Sequence, residues 1–361
     1  MSSTATTMSP HERGLLAAAR DGDEDAYRRL VEPRRPELHA HCYRMLGSFH
    51  DAEDALQDAL LRAWRGLPRF EGRSSLRSWL YRIATNTCLD VIARRPKRML
   101  PIDLGPAAEP HQSPGEPLVE SVWVEPYADD RLGVEDGFAG PEARYELRES
   151  VELAFIVAIQ HLPARQRAAL ILRDVLGFSA REVAASLDTS VASVNSALQR
   201  AREAVDGRLP ERSQQATLRA LGDQRLRDLV RDYMDAIQRG DVDAVVAMLA
   251  DEAAWSMPPM PRWYRGREAI VAFLTEYPLR ERWRHIPARA NGQLAVGCYI
   301  WQPERERYAA AVLDVLTLSG PRIAEVTAFV APWVSRRFGE APGVMTPEGF
   351  ALFGLPDELP A

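Results

Sequence analysis

Residues 51–95 read DAEDALQDALLRAWRGLPRFEGRSSLRSWLYRIATNTCLDVIARR, and the interpretation of the N-terminal part of the chain rests on this stretch. At about 100° per residue, Asp51, Asp54 and Asp58 fall on one narrow arc of a helix, whereas alanines and leucines fill the opposite side. The pattern predicts an amphipathic helix with an acidic stripe exposed to solvent. Taken alone, such a stripe is more often an ordinary solvated face than a surface for a basic partner.

The segment that follows predicts a loop and a second helix. Gly72 allows unusual backbone angles, Phe70 offers a stacking surface, and Ser74 or Ser75 can cap the helix. The face predicted to be exposed carries Ser78, Arg82, Thr85 and Asn86, with Trp79 and Tyr81 beside it and a basic cluster of Arg94, Arg95, Lys97 and Arg98 at the end. Rings interleaved with arginines suit an unstacked nucleic-acid strand, since each base–aromatic stack contributes about 1–3 kcal/mol. An ordinary amphipathic surface is the alternative.

Length, charge and cysteine content limit the class of protein. At 361 residues, the chain is long enough for two or three packed cores. The net charge is −6, but residues 27–98 carry 15 Arg and Lys against 8 Asp and Glu, whereas residues 99–140 carry 1 against 9. The local charge therefore decides which partners fit. Cys42, Cys88 and Cys298 form no CxxC pair, which predicts three buried thiols in a reducing compartment.

The chain also lacks the patterns of targeting and membrane-spanning segments. Its first residues contain no apolar core segment, and no apolar run reaches the roughly 18 residues of a membrane span. We therefore expect a cytoplasmic location. Neither a metal site nor a cofactor motif is found in the sequence.

Residues 96–141 predict an extended, unpacked linker. Prolines recur at positions 101, 106, 110, 114, 117 and 126 among many acidic residues. The segment either tethers two domains or occupies a positively charged nucleic-acid channel of a partner as a mimic of nucleic acid, in which case Asp129, Asp130, Glu135 and Asp136 carry the charge. Residues 118–127, LVESVWVEPY, are more apolar than a free linker requires, which indicates a docked segment.

Residues 161–202 have the pattern of a helix-turn-helix. A helix from Ala164 to Leu176 ends at Gly177, Ser179 and Glu182 have capping-box spacing, and a further helix begins after Ser190. In that last helix the predicted buried positions are Val191, Val194, Leu198 and Ala201, and the predicted exposed positions are Ala192, Ser193, Ser196, Gln199 and Arg200. Small residues in its first turns allow close approach to the major groove.

In this order, the two stretches resemble region 2 and region 4 of the sigma-70 superfamily, specifically the extracytoplasmic-function sigma factors of bacterial RNA polymerase. The matching residues are DAEDALQDALLRAW and FEGRSSLRSWLYRIATNTCLDVIARR for region 2, and LPARQRAALILRDVLGFSAREVAASLDTSVASVNSALQRAR for region 4. The resemblance implies that Asp51, Asp54, Gln57 and Asp58 bind the clamp helices of the polymerase largest subunit.

The resemblance also implies two DNA-binding sets. The set for the −10 element is Phe70, Arg73, Ser74, Ser75, Arg77, Trp79, Arg82, Asn86, Arg94 and Arg95. The set for the −35 element is Arg181, Ser190, Ala192, Ser193, Ser196, Gln199, Arg200 and Arg202. Asn195 and the small side chains around it depart from the more basic recognition helix that is frequent in the family, which leaves the strength of −35 recognition open.

The remainder of the chain follows another pattern, with helices first and strands afterwards, which predicts an α+β domain. Residues 228–258 read as one helix, and turn residues such as Asn291-Gly292 separate later strands. The pattern resembles the SnoaL-like branch of the NTF2-like cone fold. Candidate pocket residues are Trp255, Trp263, Tyr264, Phe273, Tyr299 and Trp301, with Met257, Trp283 and Phe329 as further candidates. The titratable candidates His285, Asp251 and Asp314 form no catalytic constellation in the sequence.

The sequence thus predicts a multidomain protein with two all-α sigma domains, a region 2 helical bundle and a region 4 helix-turn-helix, plus a C-terminal α+β cone. The boundaries are 10–98 for region 2, 99–140 for the linker, 141–210 for region 4, 222–338 for the cone and 339–361 for a tail that either contacts the sigma domains or is disordered. The leading hypothesis is a non-enzymatic initiation factor regulated in cis by contact of the cone with the sigma domains, with an unidentified small ligand as a further partner. The alternative is a ligand-binding or enzymatic cone protein with a DNA-targeting front end.

Overall fold

The computed structural model describes residues 9–118, 123–132, 148–337 and 345–361. These residues form two compact units. The first unit contains the residues up to Lys97, residues 131–132 and Ala158–Arg208, and the second contains Arg98–Asp130, residues 148–157 and the chain from Leu209 onward. Glu135 and Asp136, which belong to the proposed nucleic-acid mimic, lie outside the described residues.

The first unit begins with a helical bundle. Its helices are α1 Pro10–Arg20, α2 Glu24–Val31, α3 Arg35–Leu46, α4 Phe49–Gly66 and α5 Leu76–Ile92. Side-chain oxygens of Ser9, Asp23, Ser48 and Ser75 cap four of these helices at their N-termini, as polar residues before apolar repeats do. Gly47 closes α3 in the left-handed conformation, which costs a glycine little.

The helix-turn-helix completes the first unit. After α6 Leu153–Gln160, in which the boundary between the units falls, come α7 Ala164–Leu170, a π turn Ile171–Val175, α8 Ala180–Ser186 and α9 Val191–Asp206. Ser179 and Glu182 form the predicted capping box at the start of α8. The structure therefore confirms the predicted helix order, although a π turn replaces the last turns of the first helix.

The second unit is α+β. Its helices are α10 Gln214–Leu221, α11 Asp223–Arg239, α12 Val242–Met248, α13 Gly266–Glu276, α14 Pro332–Ser335 and α15 Pro347–Ala351. Its strands are β1 Leu249–Ser256, β2 Trp263–Arg265, β3 Trp283–Ala290, β4 Gln293–Gln302, β5 Arg307–Ser319, β6 Arg322–Val330 and β7 Glu358–Pro360. They form one sheet in the order β2-β1-β6-β5-β4-β3, with β7 paired to β5. Only β1 and β6 are parallel among these pairs.

Two predictions for this unit are wrong. The helix predicted over residues 228–258 is interrupted, because Gly240 ends α11 in a left-handed conformation and Asp241 caps the separate helix α12 before β1 begins. The alternative of a disordered tail is wrong for residues 345–361, which contact the C-terminal sheet. Its strand β7 pairs with β5, and Leu355 packs so closely on Gly297 that a Cβ at Gly297 would lie 2.6 Å from Leu355 Cδ1.

Candidate functional site

The acidic stripe on α4 is exposed only in part. Asp54, Gln57 and Asp58 are exposed, and Leu61, which is 46% exposed, extends the same surface. Asp51 is only 6% exposed, and its carboxylate accepts a hydrogen bond from the guanidinium of Arg95. The prediction that Asp51 belongs to the exposed stripe is therefore wrong, because this first-turn residue holds α4 to the segment after α5.

The loop and helix predicted to bind a separated strand keep most of their polar groups exposed. The exposed members are Arg73, Ser74, Ser75, Arg82, Asn86, Arg94 and Arg95. Phe70, however, is only 6% exposed, and its ring centroid lies 4.9 Å from that of the half-buried Trp79. Thr85 is buried and hydrogen-bonds to His41 Nε2 at 2.9 Å. The predictions of an exposed Phe70 and an exposed Thr85 are wrong, because both side chains pack into the bundle.

Two residues of the same helix contact the helix-turn-helix within the first unit. The guanidinium of Arg77 lies 4.5 Å from the ring centroid of Phe178 and 5.0 Å from that of Tyr81, and it donates a hydrogen bond to Leu176 O at 3.3 Å. Ser78 is buried and donates its hydroxyl to Glu182 Oε1 at 3.1 Å. The sequence suggested exposed groups at these positions, whereas the structure uses both in packing between two helical elements.

A buried arginine forms the second attachment of the helix-turn-helix. Arg167 donates hydrogen bonds to Met45 O, to Gln160 Oε1 at 2.5 Å and to Gln160 O at 2.9 Å. Gln160 Nε2 in turn donates to Arg44 O at 3.1 Å. Burial lowers the pKa of Arg167 to about 10, so the group stays charged at neutral pH and binds the carbonyl end of α3. No pattern in the sequence indicates this role, because Arg167 resembles any other arginine on a helix.

Helix α9 presents the predicted polar surface. The exposed members are Ser190, Ala192, Ser193, Ser196, Gln199, Arg200 and Arg202, and Arg181 on α8 is exposed as well. Val191 is 42% exposed, so its predicted burial is wrong; the first turn of α9 lies clear of the core. Arg202 donates hydrogen bonds to both carboxylate oxygens of Asp174, at 2.8 and 2.7 Å. Arg200 is thus a better candidate than Arg202 for a phosphate contact.

The second unit contains a cavity of about 250 Å³ between its sheet, α11 and α13. Trp255, Phe273 and Trp283 line it together with aliphatic side chains of β4, β5 and β6. Of the three titratable residues proposed from the sequence, His285 and Asp314 line it. Asp314 Oδ2 accepts hydrogen bonds from Tyr233 Oη at 2.8 Å and Cys298 Sγ at 3.3 Å, and burial raises the pKa of Asp314 to about 6. Burial also lowers the pKa of His285 to about 4.

Sequence reasoning identified only part of this lining. Trp255 and Phe273 face the cavity as predicted, and so do the further candidates Met257 and Trp283. Tyr299 and Trp301 do not, because they alternate along β4 with Cys298 and Ile300, which do. Trp263, Tyr264 and Phe329 are also absent from the lining. Asp251, the third titratable candidate, lies on the surface with a side chain that is 86% exposed.

The sequence predicted an unpacked linker, but residues 99–118 and 123–130 pack as part of the second unit. Ala108 forms a β-bridge with Tyr264, and its N–H donates to Trp263 O at 2.7 Å. Tyr264 Oη donates to Gln112 O at 2.7 Å, and Trp263 Nε1 donates to Gly105 O at 2.9 Å. Two residues predicted to line the pocket therefore bind the linker instead.

Residues 127–129 of the linker are held by the hairpin between β3 and β4. Asn291 Oδ1 accepts the N–H of Tyr127 at 2.9 Å, and the Asn291 N–H donates to Tyr127 O at 2.8 Å. The Asn291 amide also donates to Val151 O at 2.7 Å, and Gly292 N–H donates to Asp129 Oδ1 at 2.7 Å. Trp123, Val124 and Tyr127 are buried, which confirms the docked segment that the apolar motif had indicated.

Comparison with known proteins divides the chain in the same way. Residues 30–98 match the family model described as Sigma-70 region 2, residues 152–205 match Sigma-70, region 4, and residues 230–326 match a SnoaL-like domain. The ECF RNA polymerase sigma factor SigG of Mycobacterium tuberculosis is 42% identical over 350 residues, which cover 95% of this chain and 86% of SigG. The chain belongs to the ECF RNA polymerase sigma factors.

Two further relatives describe the parts of this sigma factor. The ECF sigma factor SigW of Bacillus subtilis is 30% identical over 190 residues, which cover 53% of this chain and 92% of SigW. The crystal structure of SigJ, an extracytoplasmic function sigma factor of M. tuberculosis, covers 89% of this chain and 97% of its own, with a TM-score of 0.54 and 21% identity, and so it shares the fold. None of the described helices of this sigma factor has the length and apolar character that a membrane span requires.

Proposed function

We propose that this sigma factor binds core RNA polymerase, recognises the −10 and −35 promoter elements and promotes strand opening at the start of transcription in the cytoplasm. The assignment rests chiefly on the 42% identity to SigG over 95% of the chain. The exposed carboxylates of Asp54 and Asp58 form the polymerase-binding surface in this proposal. The protein acts by binding, without a catalytic step of its own.

The promoter-binding groups are divided between two elements. The exposed side chains of Arg73, Arg82 and Asn86 contact the separated −10 strand, and those of Ser193, Ser196 and Arg200 contact the −35 element. In the first unit, Arg77 and Ser78 are occupied by Phe178 and Glu182 of the helix-turn-helix. Region 2 and region 4 must therefore separate before both can bind one promoter, because elements about 25 base pairs apart lie roughly 85 Å apart at about 3.4 Å per base pair.

The C-terminal domain regulates this separation in cis. Residues 98–118 and 123–130 of the chain that joins region 2 to region 4 belong to the second unit and are held there by backbone hydrogen bonds at Ala108 and Tyr127. A linker held in this way cannot extend freely between two separated DNA-binding domains. The C-terminal domain thus hinders the change to an open form, in which region 2 and region 4 are separated, until the linker is released. The tail that includes β7 stabilises the same domain.

Reconstitution of transcription tests the proposed function. Core RNA polymerase of the host bacterium is incubated with fragmented genomic DNA, with and without the full-length chain, and the 5′ ends of run-off transcripts are sequenced. We expect starts that depend on the chain and share a common −10 sequence. If no template gives chain-dependent starts, although the chain binds core polymerase or DNA, the protein is not an initiation factor.

A further inference from the structure

The cavity of the second unit has a built polar end inside an apolar wall. Three neighbouring strands place His285 of β3, Cys298 of β4 and Val312 of β5 in register. Asp314 is two residues after Val312 and therefore lies on the same face of β5. Asp314 is therefore positioned at the base of the cavity by the sheet itself. Its two hydrogen bonds from Tyr233 and Cys298 both end on Oδ2, so Oδ1 takes no part in them.

One ring nitrogen of His285, which lies on the same face, has no hydrogen-bond partner among the described residues. Nδ1 of His285 is buried and makes no hydrogen bond among the described residues, while the ring stacks on Trp283 with 5.9 Å between centroids. Leaving a buried ring nitrogen unsatisfied is unfavourable, and such atoms in folded proteins usually have a partner that completes them. A bound molecule with a hydroxyl or carbonyl group would supply it.

The size and lining of the cavity define the rest of the ligand. At about 250 Å³ it exceeds the roughly 150 Å³ engineered cavity that binds benzene, so two fused six-membered rings fit. The inner wall is apolar and aromatic, and the charged residues of the lining include the ion pair of Glu281 with Arg337, whose side chains stay partly exposed at the mouth. Because Arg337 is paired with Glu281 and the groups that donate to Asp314, Tyr233 and Cys298, are neutral, an anion is disfavoured beside Asp314.

We propose that this cavity is a binding site for a neutral, mainly aromatic or alicyclic small molecule that carries one hydroxyl group, with the rings against Trp255 and Phe273 and the hydroxyl at Asp314 and His285. The hydroxyl donates to the Asp314 carboxyl group or accepts from it, and His285 Nδ1 gains its missing partner. The site goes beyond the initiation function, since binding here needs neither polymerase nor DNA.

Three probes with one ring system test the proposal on the full-length chain. 2-Naphthol has the hydroxyl group, naphthalene lacks it, and 2-naphthoate replaces it with an anion. Isothermal titration calorimetry, with intrinsic tryptophan fluorescence as a second readout, should give saturable binding with one site per chain for 2-naphthol. Naphthalene and 2-naphthoate should bind about tenfold more weakly or worse, which is the effect of losing one hydrogen bond to a buried charged group.

Matched variants locate the bound probe. Asp314→Asn should weaken 2-naphthol about tenfold and leave naphthalene unchanged, whereas Glu325→Gln, which changes a half-buried carboxyl on β6 outside the lining, should change neither. Ala328→Leu narrows the cavity and should weaken both neutral probes, in contrast to Ala324→Leu on the same strand. Circular dichroism confirms folding of each variant. Absence of saturable 2-naphthol binding overturns the proposal, and so does binding that Asp314→Asn and Ala328→Leu leave unchanged while both variants are folded.

Discussion

The guanidinium of Arg77 in region 2 stands 4.5 Å from the ring centroid of Phe178 in region 4. Arg77 belongs to the residues that the family resemblance assigns to the −10 element, so the contact occupies a proposed DNA-binding group. A cation–π contact of this kind contributes about 0.5–2 kcal/mol. That energy is large enough to favour a closed form, in which region 2 and region 4 are in contact. It is also small enough for polymerase binding to overcome.

The first prediction is that Phe178→Leu shifts the first unit toward an open form. The substitution removes the ring under Arg77 while it keeps an apolar side chain in the buried position. Single-molecule energy transfer between labels at Arg69 and Arg208, both in the first unit, should show a larger open fraction. Phe49→Leu, whose ring packs on His39 and His50 in region 2, is the control and should keep the distribution of the original chain. If Phe178→Leu and Phe49→Leu give equal distributions of energy transfer, Phe178 does not hold the first unit in the closed form.

The second prediction is that Asp54→Arg abolishes binding to core polymerase while leaving folding intact. Asp54 is exposed in the middle of α4, so reversing its charge changes the surface without disturbing the core. We expect at least a hundredfold loss of affinity for core polymerase in a pull-down or by interferometry, since a like charge replaces an attractive one. Glu304→Arg, an exposed reversal on the second unit, should bind as the original chain does. Retained affinity in Asp54→Arg would exclude this face of α4 as the polymerase-binding surface.

The third prediction separates the role of Asp51 from that of its neighbours. Asp51→Asn should lower the free energy of unfolding of region 2 by about 1–2 kcal/mol, because it weakens a pair with Arg95 whose carboxylate is buried and whose guanidinium is half exposed. Asp54→Asn should change it by less than about 0.5 kcal/mol. Urea denaturation monitored by circular dichroism measures both. If both variants are equally stable and Asp51→Asn alone loses polymerase binding, Asp51 acts at the interface after all.

The helical half of the fold could be predicted from the sequence because its signals are local. Capping serines such as Ser75 and the capping box at Ser179 act within one or two turns. Strand β1 was missed because its residues follow directly on α12 and contain alanines that suit either state. Its strand conformation depends on pairing with β2 and β6, which are distant contacts that no local pattern reports.

The candidate sites were predicted less completely, and for a physical reason. Composition identifies residues able to bind DNA or polymerase, but burial decides which of them are available. Phe70 was a candidate for DNA and Asp51 for polymerase, and both side chains are buried in the bundle. In the pocket, alternation along β4 separates Cys298 from Tyr299, so a list of aromatic residues mixes two faces. The docking of the linker was indicated only by the apolar residues around Trp123.

The fourth prediction concerns Asp314 and pH. Its folded pKa of about 6 lies above the ordinary 3.8, because burial disfavours the charged form more than Tyr233 and Cys298 favour it. Between these two values the folded state holds a proton that the unfolded state has released, so stability falls as pH rises from about 3.8 to 6 and is constant above. Asp314→Asn removes this loss and should stabilise the second unit by about 1–3 kcal/mol at pH 7.5.

The measurement is urea unfolding of the second unit, followed by tryptophan fluorescence at several pH values. The control is Asp251→Asn, which removes an exposed carboxylate of β1 and should leave the slope of stability against pH unchanged. A slope between pH 4 and 6 that persists in Asp314→Asn would mean that another group produces it. Glu152 is the group to test next, because burial raises its pKa to about 7 and so makes stability fall with rising pH, whereas the lowered pKa of His285, about 4, makes stability rise.

The last prediction links the linker to transcription through Asn291. This residue has a φ of +55°, which glycine also adopts, so Asn291→Gly keeps the hairpin and removes only the side-chain hydrogen bonds to Tyr127 and Val151. Losing the hydrogen bond to Tyr127 should weaken docking of the linker by about 1–2 kcal/mol, which is roughly a tenfold rise in amide exchange near Tyr127. Promoter-dependent transcription should rise with it, because the linker can then extend. Glu306→Gly, at a φ of +48° beside the β4–β5 turn, is the matched control and should alter neither quantity. Faster exchange at Tyr127 without a change in transcription would show that linker docking stabilises the domain but does not regulate initiation.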